Sequence, residues 1–529
     1  MATIHLSIVI FMPLAAALVG AFLPSRLARW AVLAGTVGVL AYAVAMIADF
    51  DRGAGMHYVT DESWISEVGI RYSLGVDGLS LFLIALTALV WVAATLAAVL
   101  REWDQPRLFF FHIALAETAV LGAFCAQDLA LFVVFFDLML VPFYFLIGAW
   151  GEPRTRVQAT TKFVIYTLVG SLLMLVGAIA LAVLSTPVGG DISFALADLE
   201  ERSLGEGTQQ WIFLLFAVAF LVKAPLFPLH GWMPDAYLAT PIPVLVLLSG
   251  VLSKVGVYGF LRVVLPTMPD ASEHFQALML AAAVVSILYG SVLAFSQDNA
   301  RLVVGYSSVA QLGFIVLGIF ALDPKGAQGA VMQMVTHGLV VAPLFLIIGA
   351  LALRAHGSES LERMGGMALR APVLAALFLI VAFATLAMPG SPNFVGELLI
   401  LFGAFEDKIV FGLVASTGVV LAAVYMIRVL QRSMHNRPGP DVESFDLRRH
   451  ELATIAPLTA AIVALGVYPQ LVLERSEPAT VAKIEEAARL ADERAGREPE
   501  AGASERLIDE QSPETLPEAE PASPREEGP

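Results

Sequence analysis

The chain alternates long apolar runs with short polar breaks almost from its first residue. Runs of about twenty apolar residues are long enough to cross a bilayer as helix. Cutting the pattern at its polar breaks predicts fourteen such helices, over 5–23, 29–49, 78–100, 107–126, 128–149, 160–186, 211–236, 241–264, 274–296, 300–322, 328–353, 371–404, 408–430 and 450–472. An all-α, polytopic membrane protein follows. The segment from Met1 to Leu6 has no basic region and no small-residue cleavage site, so the first run is read as a span and not as a removable signal.

Two of the runs are interrupted from within. In the seventh, Lys223 falls about a dozen residues into the apolar stretch and is followed by Pro225 and Pro228. Proline lacks a backbone N–H, and its ring obstructs the carbonyl four residues back, so helical pairing should fail beside the lysine. Carbonyls freed in lipid are tolerated only where protein or water reaches them, which predicts a hydrated interior at this point. The twelfth run repeats the arrangement, with Pro389-Gly390-Ser391-Pro392 just before Glu397.

Broken spans at corresponding positions mark internal repeats with binding sites at the breaks. These two stand five spans apart, and an odd-numbered unit must start its second copy on the opposite membrane face. Spans 4–8 (107–264) and 9–13 (274–430) are therefore expected to be inverted repeats. Spans 1–3 (1–106) precede them, and span 14 (450–472) and an acidic tail (473–529) follow. Residues 479–495 of the tail read as a surface helix and the proline-rich remainder as disordered.

Composition supports a membrane body. Hydrophobic residues make up 58% of the 529, charged residues 15%, and mean hydropathy is +0.77. The formal net charge of −16 comes largely from the tail and says little about the rest. Basic residues divide between alternate loops. One set holds Arg26, Arg29, Arg101, Arg107, Arg154, Arg156, Lys162, Arg301, Arg354, Arg363, Arg370, Arg428, Arg432, Arg437, Arg448 and Arg449, and the other only Arg52, Arg71, Arg202, Arg262, Lys325 and Lys408. The positive-inside rule then places the first set in the cytoplasm and both termini outside, in a cell inner (plasma) membrane. A single cysteine, Cys125, excludes an internal disulfide and the usual Cys-rich metal or iron–sulfur sites. There is no Walker motif, no haem or flavin signature and nothing that suggests nucleic acid, so no cofactor is expected in this chain.

The chemistry is carried by ionisable residues inside the spans. Each costs about 2.5–3.5 kcal/mol on insertion scales, so idle ones are rare. Asp137 stands among phenylalanines in span 5, Lys223 at the break of span 7, Lys254 at the centre of span 8, His337 in span 11 and Glu397 at the break of span 12. Similar depths in five spans predict a water-linked row of proton carriers along the membrane plane. The structural alternatives are a static Asp137–Lys223 salt bridge, a Lys254 tied to carbonyls or serines, and a His337 satisfied in the core. Glu117 in span 4 and His230 after the seventh-span break are weaker candidates, His230 and Asp235 fitting better as supports of the break. Ser307, Ser308 and Gln311 suit either water binding or packing, and His112 is read as structural.

The stretch from Leu221 to Ala236, with Lys223-Ala224-Pro225 and His230-Gly231-Trp232-Met233-Pro234-Asp235, resembles the antiporter-like membrane subunits of respiratory complex I (NADH:quinone oxidoreductase). That family is shared with Mrp-type cation/proton antiporters and membrane-bound hydrogenases, and the resemblance covers spans 1 to 14 but not the tail. Glu397 in Gly390-Ser391-Pro392-Asn393-Phe394-Val395-Gly396-Glu397, where L- and N-type members carry lysine, resembles the M-type branch. The resemblance implies Asp137 and Lys223 as an input ion pair, Lys254 and His337 as central relay and Glu397 as output. Quinone reduction in partner subunits carrying FMN and iron–sulfur clusters would drive it, with L- and N-type subunits as membrane neighbours. Asp137 departs from the family's usual glutamate. The expected function is proton translocation without electron transfer in this chain; the alternatives are an Mrp-type antiporter subunit and a structural membrane subunit with static ion pairs.

Overall fold

Asp77 shows how the polar breaks set the helices. Its side chain accepts hydrogen bonds from the backbone N–H groups of Leu79 and Ser80, and Ser80 caps it in return, so helix begins where the apolar run begins. Asp128, Asn299, Asp323 and Ser391 cap later helices in the same way. Prolines 106, 324, 372 and 392 stand in the first turns of theirs, where their missing N–H groups are not needed.

The computed structural model describes residues 5–495 apart from 54, 438, 440, 441 and 444. Its elements in order are α1 (Leu6–Phe22), α2 (Ser25–Asp49), β1 (His57–Ile65), β2 (Ile70–Val76), α3 (Gly78–Val99), α4 (Pro106–Cys125), α5 (Leu129–Leu138), α6 (Leu140–Gly148), α7 (Arg156–Leu184), α8 (Leu196–Glu201), α9 (Glu206–Lys223) and α10 (Met233–Ala239). One continuous run then comprises α11 (Ile242–Leu247), α12 (Ser253–Gly259) and α13 (Leu265–Thr267), joined by π-helical turns at Leu248–Leu252 and Phe260–Val264. After it come α14 (Pro269–His274), α15 (Gln276–Ser296), α16 (Ala300–Phe320), α17 (Pro324–Arg354), α18 (Pro372–Thr385), α19 (Pro392–Asp407), α20 (Ile409–Leu430), α21 (Arg449–Val467) and α22 (Gln470–Ala495).

Among the described residues, eleven helical runs are long and apolar enough to cross a membrane, and α1 and α18 are shorter apolar helices. The run from Ile242 to Thr267 is wholly buried, and α16 and α17 nearly so, whereas α2, α20 and α21 keep broad exposed faces. The polytopic helical body is as expected from the sequence. Three features are not.

First, the chain is not purely α. The loop after α2 folds into an antiparallel hairpin of β1 and β2, with Arg71 clamped on Asp61 across the strands (2.7 Å). Its alternation is too short and too polar to register beside twenty-residue apolar runs. Second, Arg262, assigned above to a loop, is buried within the continuous run from Ile242 to Thr267. Its guanidinium meets Asp77 at 2.6 Å and Tyr258 Oη at 2.8 Å, and that pairing is what permits its burial. Third, the helix expected over 479–495 begins at Gln470 and packs against α3, α13, α14 and α17, with Ser476 and Thr480 fully buried. Residues 496–529, most of the segment read as disordered, lie outside the described residues, as do residues 1–4.

Candidate functional site

Span seven breaks where the prolines dictate. α9 ends at Lys223, and the chain regains helix only at Met233. The exposed backbone groups are taken up by side chains: the Trp232 indole donates to the Val222 carbonyl (2.9 Å), and the Phe227 N–H donates to Ser286 Oγ (3.0 Å). Lys223 itself occupies the carboxyl end of α9, where a cation meets the negative end of the helix dipole. Its ammonium donates to the Phe136 carbonyl (3.1 Å) and lies 4.2 Å from the centre of the Phe136 ring.

That carbonyl is available because span five is also interrupted. Pro142 obstructs the Leu138 carbonyl, and helix is broken at Met139 between α5 and α6. Asp137 is the residue after Phe136, yet no salt bridge forms between Asp137 and Lys223. The Lys223 ammonium is thus seated on the neighbouring carbonyl and ring, with Asp137 as its charged neighbour beyond salt-bridge distance. Asp137 reaches toward Ser171 on α7, and its Oδ1 is buried without a protein partner.

Lys254 is fully buried on α12. The π-helical turn before it breaks the regular ladder, and the ammonium takes the Ser249 carbonyl (2.7 Å) with Ser253 Oγ at 3.3 Å. This is the carbonyl-and-serine seat weighed above as the structural alternative. Ser249 Oγ in turn lies 3.4 Å from Ser308 Oγ on α16, which joins the lysine's seat to the next helix.

Lys254 and His337 approach because two glycines let their helices cross closely. A Cβ on Gly338 would fall 2.5 Å from the Gly250 carbonyl oxygen. Lys254 is the charged neighbour of His337, whose Nδ1 is buried without a protein partner.

Glu397 stands five residues into α19, after a break in which Ala387 (φ +49°) and Gly390 (φ +92°) adopt left-handed backbone. Its Oε1 accepts from Gln311 Nε2 at 2.8 Å and from Gln333 Nε2 at 3.5 Å. Gln333 also donates to Gln311 Oε1 (2.6 Å) and accepts from Thr336 Oγ1 (3.4 Å), one residue from His337. Ser308 and Gln311 lie one turn apart on α16, so polar groups run from Lys254 through Ser249, Ser308 and Gln311 to Glu397, with a branch through Gln333 and Thr336 toward His337. Tyr425 on α20 adds a buried hydroxyl beside Glu397.

The weaker candidates separate. Glu117 is fully buried with both carboxyl oxygens unpartnered by protein, and no hydrogen bond joins it to the row. His230 sits in an aromatic box of Phe227, Tyr289 and Tyr306, its Nδ1 likewise unpartnered. Asp235 pairs with Lys162 at the start of α7 and ties the end of the broken span in place.

Gln333, Thr336 and Tyr425 were not among the sequence candidates, nor was the Asp77–Arg262 pair. Gln333 had a readable signal, a lone amide four residues before His337 on one helix face. Arg262 had one too, since apolar residues continue on both sides of it to Pro266.

The family described as NADH:quinone oxidoreductase/Mrp antiporter, transmembrane, matches residues 126–422. NADH-quinone oxidoreductase subunit M of Pseudomonas aeruginosa is 40% identical over 422 residues, covering 78% of this chain and 82% of that protein. A chain of respiratory complex I from Thermus thermophilus with bound NADH superposes with a TM-score of 0.82 at 30% identity, over 91% of this chain and 100% of that one. A chain of the Mrp complex from Dietzia shares the fold, with a TM-score of 0.77 at 23% identity over 92% of this chain and 98% of that one.

Proposed function

Since the chain belongs to the transmembrane subunit family shared by NADH:quinone oxidoreductases and Mrp antiporters, we propose that it is the M-type proton-translocating membrane subunit of an NADH:quinone oxidoreductase. The observation that carries this reading is the polar connection from Lys254 through Ser249, Ser308 and Gln311 to Glu397, assembled from three helical runs inside an apolar body. Buried charge is costly in a membrane and marks an ion path.

In this reading Lys223 with Asp137 takes up the proton, Lys254 and His337 pass it on and Glu397 delivers it; His230 and Glu117 are auxiliary. Buried polar atoms without a protein partner, as on Asp137, His337 and Glu397, are of the kind that water satisfies. Charge moves by repulsion: a proton arriving on one cation lowers the affinity of the next, so no covalent step is needed. Moving one charge against 100 mV costs about 2.3 kcal/mol, supplied by quinone reduction in partner subunits that carry FMN and iron–sulfur clusters and oxidise NADH. The chain thus serves a translocase without electron-transfer chemistry of its own, beside L- and N-type membrane subunits.

The same reading counts fourteen spans. α5 with α6, α9 with α10 and α18 with α19 each make one crossing, and α1 makes the first. Spans 4–8 and 9–13 form the inverted repeats within residues 107–264 and 274–430, and both termini face outward from the inner membrane.

The decisive measurement is NADH-driven proton uptake in vesicles carrying the assembled complex. Glu397→Gln, which keeps shape and hydrogen bonding but not charge, abolishes pumping while the complex still assembles. Wild-type pumping in that variant ends the assignment.

A further inference from the structure

At one end of the helical body, a cavity of about 460 Å³ opens between α3, α11, α17 and α21. Its cationic lining residues stand where helices start or stop. Arg101 follows α3, Arg301 is second in α16, and Arg448 caps α21. If these helices cross a bilayer, as proposed above, helix ends lie at headgroup depth, and so does the cavity.

One of its cations and both of its carboxylates are already committed. Arg301 pairs with Glu359, and Arg354 behind the wall is bidentate to Glu451 (3.0 and 3.2 Å). Arg101 and Arg448 face the same cavity, and among the described residues neither forms a salt bridge. Among the lining residues three guanidinium groups therefore meet two carboxylates, one of them already held by Arg354, and His450 adds an imidazole to the rim. Apart from Thr454, the rest of the wall is apolar. Leu346 and Ile455 are buried, while Leu100 and Leu353 are 43% and 47% exposed and lead from the charged mouth along the helix surfaces.

We infer that this cavity binds the phosphate headgroup of an anionic phospholipid between Arg101 and Arg448, with an acyl chain lying along Leu100 and Leu353. Basic pockets between helices at headgroup depth suit such lipids, each arginine contributing to the preference for anionic over zwitterionic headgroups. A free phosphate would satisfy the guanidinium groups but leave the apolar rim without a partner, which is why the lipid source is favoured. None of the residues lining it belongs to the proposed relay.

The test uses the assembled complex in nanodiscs doped with diazirine-tagged phosphatidylglycerol or, in parallel, diazirine-tagged phosphatidylcholine. After illumination, adducts are mapped by mass spectrometry on a pepsin digest. Adducts on 97–101 and 448–455 should form with the anionic probe, and R101Q/R448Q should reduce them by about tenfold. NADH-driven pumping should stay unchanged, as should labelling in Arg202→Gln, a control remote from the cavity. Equal labelling by the two lipids, undiminished labelling in R101Q/R448Q, or displacement by excess inorganic phosphate would each overturn the proposal, the last in favour of a free-anion site. If the double variant fails to assemble, R101Q alone, at an exposed rim residue, carries the same comparison. Pumping activity reports on the relay separately, so loss of one reading leaves the other standing.

Discussion

Gln311 Nε2 donates to Glu397 Oε1 across 2.8 Å, joining α16 to α19 through residues 86 apart in sequence, just after the break between α18 and α19. The carboxylate is 3% exposed, and Gln333 is its other donor. The amide both holds the acid in place and connects it to the Ser308 side of the path. Gln311→Leu, close in size but without a donor, should lower NADH-driven pumping about tenfold, the loss expected for one hydrogen bond to a charged group. Gln311→Glu should not restore it, since two buried carboxylates would then face each other. Pumping within twofold of wild type in Gln311→Leu would remove the amide from the path.

The separation of Asp137 from Lys223 predicts an asymmetry. Lys223 is held by the Phe136 carbonyl and ring rather than by Asp137. Lys223→Met should abolish pumping, whereas Asp137→Glu, one methylene longer and about 1 Å nearer the ammonium, should pump at least as well as wild type. Initial rates of NADH-driven proton uptake distinguish these outcomes. Pumping lost in Asp137→Glu would mean that the carboxylate is fitted to Ser171 and not to the lysine.

A buried ion pair makes a further contrast. Asp77 and Arg262 meet at 2.6 Å with side chains 2% and 1% exposed. Removing one partner leaves a bare charge in an apolar surround, at a cost of about 3–5 kcal/mol. Asp77→Ala should therefore prevent assembly or lower the thermal midpoint sharply. Arg52→Ala, which breaks an exposed contact to Glu474, should change it little. Native gels and a thermal-shift assay in detergent read both.

Crossing geometry at the centre is equally open to test. Gly338→Ala puts a methyl 2.5 Å from the Gly250 carbonyl oxygen. Overpacking of that kind costs about 1–3 kcal/mol, and it pushes His337 away from Lys254, so stability and pumping should fall together. Gly207→Ala, with nothing within 4 Å of the added carbon, should leave pumping intact and, as an alanine in helix, be neutral or slightly stabilising.

Outside the helical body, the β1–β2 hairpin carries a pH dependence of known sign. The Arg71 guanidinium bonded to Asp61 holds its carboxyl below the usual value of 3.8. A carboxyl depressed in the folded state stabilises that state above its unfolded value and loses the contribution as pH falls through the folded one. Below about pH 4, limited proteolysis between residues 57 and 76 should become faster in the wild type, and Asp61→Asn should cleave at one rate on both sides of that pH. An unchanged wild-type rate across the window would show that the clamp does not hold the hairpin.

Much of this architecture was legible from residue order. Hydrophobic runs of bilayer length located the helical segments, because an apolar stretch in lipid must satisfy its own backbone and helix is the local way to do so. Pro225, Pro228, Pro389 and Pro392 located the two breaks, because a missing N–H is a property of the residue itself. Lys223, Lys254, His337 and Glu397 stood out because charge inside such runs is rare. What the chain order could not convey was which groups meet. Asp137 and Lys223 looked like a salt-bridged pair, yet the ammonium takes the Phe136 carbonyl and ring and has the carboxyl only as a charged neighbour. Gln311, which suited water binding or packing equally, and Gln333 became the partners of Glu397 only when α16, α17 and α19 packed side by side. Arg262 looked like a loop charge until Asp77, 185 residues earlier, was brought against it. Local backbone chemistry is encoded residue by residue, whereas pairing depends on which helix faces touch, and that is settled by the packing of the whole body.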